Sequence, residues 1–437
     1  MFSRILDVTY TVLGVVFYYT KYKKSCYLPT EQVEKNQYKK LKKLLELSYT
    51  NIPYYREKYD LAGFNPFRDF QCLEDFKKVP MLTKLEAREQ GAALKNPKYR
   101  GPTVEFKTSG STGHPYTATV SWRHWVLEQG VIWRHWKWAG YKFRDPLAIL
   151  RSFAPGPDEP LIKADRFRNF HYFSPFHLTD EKFPVFIAEM NRLKVKFVRG
   201  YPSTILSLSL YLEHHPEVKI PTLIGALVAS EVLSDKDRVT IEKNIGVRVF
   251  NHYGLAEQIV MFGDCERHEG LHNYDEYGYV ELLDVPDKAE KMIIGTNLNN
   301  LAMPLIRYDT GDMAVLNEKP CSCARTSLCI KNIAGRADQA IICEDSHSIP
   351  TVNFYTMLEY YEDYYSEWQL IQHSLKEMEL ILKTHDVEKA SEISDKLMQE
   401  FQKRLPDYFN VEINLNKPFI RHYEGKKNTF VRNFHAD

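Results

Sequence analysis

Short apolar runs that alternate with helical patterns constrain the fold of this 437-residue chain more than any other feature of its sequence. Runs of this length between amphipathic stretches predict strands joined by helices, which is an α/β fold with a parallel sheet. The runs occupy residues 147–150, 197–199, 226–229 and 247–250. Each ends at a polar or glycine-bearing segment, and ligands in open α/β sheets bind outside the carboxyl ends of strands. We therefore expect one crevice lined by four segments: 151–152, 200–202, 230–231 and 251–254.

The length of the chain predicts more than one domain, because a single hydrophobic core rarely grows to this size. A break near residue 335 divides the chain into a large body, residues 1–335, and a small α+β domain, residues 336–437. The small domain has a β-β-α-β pattern, with strands predicted near 368–372 and 379–382 and a helix over 387–405.

The N-terminal part of the body, residues 1–60, is predicted to be helical, with an amphipathic helix over 33–47 and a turn at 51–56. Ahead of that helix, residues 5–19 are mostly apolar and precede a basic cluster, Lys21, Lys23 and Lys24. The apolar stretch is shorter than the roughly 20 residues that span a bilayer. Two interpretations stay open: a helix packed on the body, or a helix in the membrane interface that makes a peripheral contact with anionic lipid.

The composition excludes some partners and locations. A formal net charge of +1 leaves no electrostatic case for a nucleic-acid partner. Seven cysteines without a regular spacing argue against an oxidised, secreted scaffold, so we expect a cytoplasmic protein. The oligomeric state is left open.

Five of the six tryptophans fall within residues 122–138, and two pairs of them are three residues apart. On a helix such pairs share one face. A stripe of this kind is typical of core packing, and a ligand-lining role is the alternative.

Residues 108–115 read Thr-Ser-Gly-Ser-Thr-Gly-His-Pro. Glycines let a loop bring its backbone N–H groups close to an anion, and hydroxyls add further donors, so the loop predicts polyphosphate binding. It differs from the G-x-x-x-x-G-K-[ST] loop because no lysine follows the second glycine. A flexible polar turn is the alternative. The candidate phosphate contacts are Thr108, Ser109, Gly110, Ser111, Thr112 and Gly113.

Five motifs in this order resemble those of the adenylate-forming superfamily, which contains the acyl-CoA synthetases, adenylation domains and luciferases. The first motif is the hydroxyl-rich loop at 108–115. The others are Tyr253-Gly254-Leu255-Ala256-Glu257, Arg307-Tyr308-Asp309-Thr310-Gly311-Asp312, Gly335-Arg336-Ala337-Asp338 and Gly425-Lys426. Within the superfamily the chain is most similar to the phenylacetate–CoA ligase-like group, and there to its CapK-type branch from capsular polysaccharide biosynthesis. That finer similarity is carried by the segments 51–56, 173–178, 199–203, 229–231 and 268–272.

The resemblance implies an ATP-dependent enzyme that converts a carboxylic acid to an acyl-adenylate and releases pyrophosphate. The acyl group then passes to an acceptor, either CoA or an amine such as an amino sugar in polysaccharide biosynthesis. The implied cofactors are ATP/AMP, Mg²⁺ and CoA, and the implied architecture is a large body with a small mobile lid that turns at Asp338. Two alternatives stay open: an aryl- or fatty-acid CoA ligase, and a scaffold that binds nucleotide without turnover.

The resemblance also implies roles for single residues. Lys426 would reach the α-phosphate and the substrate carboxylate, with Lys427 as the alternative, and Arg336 would contact phosphate. Glu257 would hold Mg²⁺ as a hard oxygen ligand, and Asp312 would accept hydrogen bonds from both ribose hydroxyls. The remaining nucleotide-binding candidates, with Tyr253 stacked on adenine, are Ala229, Ser230, Glu231, Asn251, His252, Tyr253 and Gly254.

Three cysteines and a histidine suggest a second metal. Cys265-x-x-His268 and Cys321-x-Cys323 offer three thiolates and one imidazole, which is a structural Zn²⁺ set. His272 could replace His268, and four unrelated residues are the other alternative. Similar proteins of the phenylacetate–CoA ligase-like group carry such a site.

The chain departs from the family pattern mainly after residue 338. Gln339 stands where relatives have a second acidic residue, and residues 344–347 replace a glycine-bearing turn that often meets CoA. These departures concern the transfer to CoA and leave the expected adenylation unchanged.

Overall fold

A computed structural model describes residues 12–107, 117–156, 159–286, 288–334, 340–344, 348–351, 354, 357–358, 360–361, 364–384, 386–420 and 430–434. The α-helices, in chain order, are α1 (Thr20–Tyr22), α2 (Thr30–Asn51), α3 (Pro53–Leu61), α4 (Pro66–Asp69), α5 (Lys84–Gln90), α6 (Trp122–Trp138), α7 (Phe183–Arg192), α8 (Pro202–His214), α9 (Asp235–Ile245), α10 (Val387–Ser391) and α11 (Ser394–Gln402). A π-helix precedes them, and short 3₁₀-helices lie between them: Gly14–Tyr19, Ser25–Tyr27, Leu73–Lys78, Gly91–Leu94 and Pro175–His177.

The strands, in chain order, are β1 (Thr103–Lys107), β2 (Thr117–Ser121), β3 (Leu147–Leu150), β4 (Ile162–Asp165), β5 (Phe170–Phe173), β6 (Phe197–Gly200), β7 (Gly225–Ala229), β8 (Val249–Gly254), β9 (Met261–Asp264), β10 (Leu271–Asn273), β11 (Gly278–Leu283), β12 (Lys291–Asn297), β13 (Tyr308–Leu316), β14 (Cys329–Ala334), β15 (Ala340–Ile342), β16 (Ser348–Pro350), β17 (Glu367–Gln372), β18 (Glu377–Lys383), β19 (Asn410–Leu415) and β20 (Phe430–Arg432).

The chain forms two compact units. The first unit comprises residues 1–108, 116–140 and 250–335, and the second comprises 109–115, 141–249 and 336–437. The division into a body of 1–335 and a lid of 336–437 stays a prediction.

The first unit is built on antiparallel strands in the order β11-β12-β13-β14-β10-β9-β8, with β1 and β2 as a separate antiparallel pair. Helix α2 covers part of its core, because Leu41, Leu44 and Leu45 recur at helical spacing and are fully buried. The turn predicted at 51–56 is shorter than expected. Only Ile52 is extended, and α3 begins directly at Pro53, where a missing N–H costs no helical hydrogen bond.

The N-terminal segment packs on α6 at a close crossing of two glycines. A Cβ atom on Gly14 would lie 2.6 Å from the carbonyl oxygen of Val126, and one on Gly130 would lie 2.6 Å from that of Gly14. Arg134 of α6 also donates to the carbonyl oxygen of Tyr22 and pairs with Glu276. From residue 12 onward, the segment therefore packs on the first unit. In the described part of the chain, no helix combines the length and the apolar character needed to cross a bilayer.

The second unit contains the predicted parallel strands. Its sheet has the order β7-β6-β3-β5-β4, in which β7, β6, β3 and β5 are parallel and β4 is antiparallel to β5. Helices α7 and α8 bury Phe186, Met190, Ile205 and Leu208 against these strands. The α/β prediction is confirmed. One predicted boundary is wrong: β8 runs from Val249 to Gly254, so the polar segment 251–254 belongs to the strand.

The C-terminal part of the second unit also has the predicted pattern. A four-stranded sheet has the order β19-β18-β17-β20, and Trp368, Leu380 and Phe401 join it to α11 in one apolar cluster. The helix predicted over 387–405 is divided into α10 and α11.

The tryptophan pair Trp133 and Trp136 of the first unit is buried in α6 with ring centroids 5.5 Å apart, which agrees with core packing.

Candidate active site

Glu257 lies just after β8 and is almost completely buried, with 3% of its surface exposed. Its Oε1 accepts a hydrogen bond of 2.9 Å from the hydroxyl of Tyr308, the first residue of β13. A hydrogen bond to a carboxylate fixes the direction in which its other oxygen points. The sequence identified Glu257 but not this orienting role of Tyr308, although the tyrosine belongs to one of the quoted motifs.

Asp312 is held in the same manner. Its Oδ2 accepts a hydrogen bond of 2.7 Å from the hydroxyl of Tyr253 on β8. Burial and the neighbouring Asp312 carboxylate raise the pKa of Tyr253 well above its ordinary value, so its proton stays in this bond. The structure thus joins the motif at 253–257 to the motif at 308–312 by two tyrosine–carboxylate hydrogen bonds.

A local irregularity of the sheet positions Asp312. The pairing of β12 with β13 shifts register between Met292 and Ile294, opposite residues 310–312. Gly311 has a φ of 74°, which a residue with a side chain rarely adopts, and Thr310 donates to the carbonyl oxygen of Ile293 over 2.9 Å. Such a bulge redirects side chains out of the regular alternation of a strand. Asp312 is partly exposed.

Arg307, which begins the same motif, has a structural role. Its guanidinium pairs with both carboxylate oxygens of Glu281 over 2.9 Å and donates to the carbonyl oxygens of Lys77 and Val79. It is buried, and all of these partners lie within the first unit. Arg307 therefore stabilises the start of β13.

The other candidates on β8 are partly buried or exposed. The backbone N–H of Asn251 donates to Oδ2 of Asp264 over 2.8 Å, and the ring of His252 lies 5.4 Å from that of His135. Gly254 is exposed at the end of the strand. Their proposed contacts with nucleotide stay predictions.

Ala229, Ser230 and Glu231 lie in the second unit, at the carboxyl end of β7. Ser230 has a φ of 73°, a turn conformation that ends the strand. Oε2 of Glu231 accepts a hydrogen bond of 3.0 Å from the N–H of Ser203 in the first turn of α8. Burial raises the pKa of Glu231 to about 7, and the bond from Ser203 acts in the opposite direction.

Three cysteines and one histidine of the first unit form a compact cluster. The ligand atoms of Cys265, His272, Cys321 and Cys323 all lie within 4.8 Å of one another. The two sulfurs of Cys265 and Cys321 are 3.6 Å apart, and Nε2 of His272 is 3.2 Å from Sγ of Cys323. A tetrahedral site with Zn–S bonds of about 2.3 Å has ligand atoms about 3.7 Å apart. The residues therefore fit Zn²⁺.

His268 lies outside this cluster. Its Nδ1 is 3.8 Å from Oδ2 of Asp264, and its ring is 4.5 Å from the ring of Phe250. His272, the alternative left open by the sequence, takes its place because β10 pairs with β9 and carries His272 opposite Gly263, beside Cys265. The Nδ1 of His272 lies 3.4 Å from the hydroxyl of Ser327, which can set the ring orientation.

Several sequence-predicted residues lie outside the described residues. They are Thr108, Ser109, Gly110, Ser111, Thr112, Gly113, Arg336, Asp338 and Lys426. Their assignments depend on the sequence.

Comparisons with known proteins show what the chain is similar to. No family profile matches the chain. The chain is 26% identical to phenylacetate-coenzyme A ligase of Thermus thermophilus over 356 residues, which are 74% of this chain and 75% of that protein. It is 22% identical to Protein CapK of Staphylococcus aureus over 374 residues, 82% of this chain and 80% of that protein. A solved structure of 2-hydroxyisobutyryl-CoA ligase in complex with 2-HIB-AMP and CoA aligns with a TM-score of 0.57 at 19% identity, covering 93% of this chain and 91% of that one. This last similarity establishes a shared fold.

Proposed function

We propose that this chain is an AMP-forming ligase of the adenylate-forming superfamily; its sequence similarity to the phenylacetate–coenzyme A ligases and to CapK supports this. It activates a carboxylic acid with ATP and passes the acyl group to CoA. The observation that carries this proposal is the pair of tyrosine–carboxylate hydrogen bonds that joins two motifs far apart in sequence. A scaffold without turnover would have no need to orient Glu257.

In the first half-reaction, a carboxylate oxygen of the acid attacks the α-phosphorus of ATP, and the bond to the pyrophosphate oxygen breaks. Positioning and charge neutralisation dominate such a step. Asp312 holds the ribose, while Lys426 and Arg336 balance the charge that develops on the phosphate oxygens. Glu257 would hold Mg²⁺, which would supply further positive charge to the reacting phosphate.

In the second half-reaction, the sulfur of CoA attacks the acyl carbon, and AMP leaves with the bonding electrons. We propose that the region 336–437 turns at Asp338 between the two steps, as a few hinge residues can absorb such a change. An amine acceptor, as in the capsule-related interpretation, would attack the same carbon and stays a second candidate. Its support is the similarity to CapK together with the departures at Gln339 and 344–347.

We also propose that Cys265, His272, Cys321 and Cys323 hold one structural Zn²⁺. The loop at 321–323 contains no regular element, and the metal would tie it to β9 and β10. A reducing, cytoplasmic location would keep these thiols available for the metal.

The N-terminal segment supports a proposal of peripheral membrane contact. Val16 and Phe17 are exposed, and the exposed Lys21, Lys23 and Lys24 follow. Apolar side chains beside lysines suit an anionic lipid surface.

Exchange of radioactive pyrophosphate into ATP, measured with a panel of carboxylic acids, tests the proposed function. Wild-type protein exchanges label only when a cognate acid is present, and mass spectrometry then finds an acyl-CoA when CoA is added. Lys426→Ala reduces exchange by about 100- to 1,000-fold, since preorganised charge at such sites is worth that much, whereas Lys427→Ala exchanges normally. A protein that binds ATP but exchanges no label with any acid contradicts the proposal.

A further inference from the structure

Two loops at the amino edge of the second unit's parallel sheet each carry a phenylalanine between two basic residues. Residues 142–144 read Lys-Phe-Arg and precede β3, and residues 166–168 read Arg-Phe-Arg and precede β5. The two strands are parallel neighbours with Leu147 opposite Phe170, so both loops lie at the same edge of the sheet. Open α/β sheets bind their ligands at the opposite, carboxyl edge.

The two phenylalanines form one exposed pair. Phe143 is 47% exposed and Phe167 is 44% exposed, and their ring centroids are 6.2 Å apart with the ring planes inclined at 66°. Nη1 of Arg144 donates to the carbonyl oxygen of Phe167 over 2.8 Å. Nδ2 of Asn169 donates to the carbonyl oxygen of Arg144 over 3.0 Å. These hydrogen bonds join the two loops, so the exposed rings are held as a pair.

The same edge continues across two further strands. Lys194 and Lys196 precede β6, and Ile224, which is 53% exposed, precedes β7. The N–H of Ile224 donates to the carbonyl oxygen of Lys196 over 2.8 Å, and the N–H of Lys196 donates to that of Pro146 over 2.9 Å. Across the strand order β7-β6-β3-β5, these contiguous loops extend over about 14 Å, the width of three interstrand spacings. We define the amino-edge surface as residues 142–146, 166–169, 194–196 and 222–224.

The amino-edge surface is positively charged. Its carboxylate Asp145 pairs with Lys196, and the neighbouring Asp165 pairs with Arg168, each over 2.7 Å. The other basic side chains of the surface are exposed and, in the part of the chain that the structure describes, form no ion pair with a carboxylate: Lys142, Arg144, Arg166 and Lys194. Because the whole chain has a formal net charge of only +1, these cations are a local concentration of charge.

We propose that the amino-edge surface binds an anionic lipid bilayer. Phe143 and Phe167 insert among the lipid headgroups, and the exposed cations face the anionic lipids. Lipid suits this surface better than a protein does, because the cores of protein interfaces are depleted of charged residues. Here a basic residue flanks each ring on both sides. The proposal goes beyond the ligase function, and it concerns the second unit rather than the N-terminal segment of the first.

Co-sedimentation of the full chain with lipid vesicles tests the proposal. The vesicles contain phosphatidylcholine alone or phosphatidylcholine with about 30% of the anionic phosphatidylglycerol. We expect wild type to bind only the anionic vesicles, and to bind them more weakly at high salt. Phe143→Ser/Phe167→Ser should bind about tenfold more weakly, since less apolar surface enters the bilayer. Lys142→Gln/Arg166→Gln should lose about fivefold in affinity for each charge removed.

A matched control removes one basic and one apolar side chain outside the amino-edge surface. Lys236→Gln/Val239→Ser changes two exposed residues of α9 in the same unit and should bind like wild type. Circular dichroism checks that each variant is folded. If a variant unfolds, hydrogen exchange of wild type replaces it: anionic vesicles should slow exchange in 142–146 and 166–169 and leave α9 unchanged. Unchanged exchange in those two loops contradicts the proposal.

Three results of the vesicle experiment overturn the proposal. The first is wild type that binds neither kind of vesicle, or both kinds equally. The second is that both amino-edge variants bind like wild type; loss of binding in Phe17→Ser then assigns the membrane contact to the N-terminal segment. The third is binding of wild type to soluble polyglutamate but not to anionic vesicles, which assigns the surface to an acidic protein. Pyrophosphate exchange judges the ligase function separately from all three.

Discussion

The candidate site residues of the two units are held by different interactions. In the first unit, Glu257 and Asp312 each accept a hydrogen bond from a tyrosine of another motif. In the second unit, Arg151, Arg199 and Glu231 lie at strand ends, and the pKa of Arg199 and that of Glu231 are shifted by burial and by neighbouring charge. The first arrangement fixes by hydrogen bonds the two carboxylates proposed to serve adenylation. In the second, burial is the largest cause of both pKa shifts.

The largest expected effect concerns the metal cluster of the first unit. We expect wild-type protein to bind about one Zn²⁺ per chain and His272→Ala to lose it, because three ligands seldom hold a structural zinc. His268→Ala keeps the metal, since its imidazole faces Asp264. Elemental analysis of the purified variants measures this. If His272→Ala retained zinc and His268→Ala lost it, the metal ligand would be His268 and not His272.

The next effect tests whether the tyrosine hydrogen bonds serve catalysis. Glu257→Gln should slow acyl-adenylate formation by about 100- to 1,000-fold, because the carboxylate charge proposed to hold Mg²⁺ is lost. Tyr308→Phe slows it by about tenfold, since the carboxylate stays but loses one hydrogen bond. Single-turnover measurement of acyl-AMP checks both, with Glu318→Gln, an exposed glutamate of the first unit, as the control. Equal rates of acyl-AMP formation in Glu257→Gln and Glu318→Gln would show that Glu257 takes no part in the reaction.

The smallest effect concerns stability and pH in the second unit. Glu231 ionises near its ordinary pKa of 4.5 in the unfolded chain and near 7 in the folded one. The folded protein therefore holds an extra proton between these values, and its stability falls as the pH rises from about 4.5 to about 7, by at most about 3 kcal/mol. Arg151 moderates this cost and Asp237 increases it.

Glu231→Gln keeps the acceptor for Ser203 and has no proton to lose. The melting temperatures of Glu231→Gln and wild type are compared at pH 5 and pH 8. The melting temperature of the variant, relative to that of wild type, should be higher at pH 8 than at pH 5. An equal difference at both pH values would show that Glu231 carries no such cost.

Much of the fold could be predicted from local patterns. The runs at 147–150, 197–199 and 226–229 became parallel strands, and the β-β-α-β pattern of the C-terminal region was found, because strand and helix periodicities are properties of short segments. The end of β8 was missed. Its polar residues pair with β9, and that partner lies outside any local window.

The sequence by itself determined which residue types are present and in what order: the carboxylates Glu257 and Asp312, the cysteines of the metal cluster, and the motif order of the superfamily. Tertiary structure decided which of them meet. It placed His272 rather than His268 beside the cysteines and joined Tyr308 to Glu257. The physical reason is that strand pairing and register, which connect segments about 50 residues apart in sequence, set the distances on which ligation and hydrogen bonding depend.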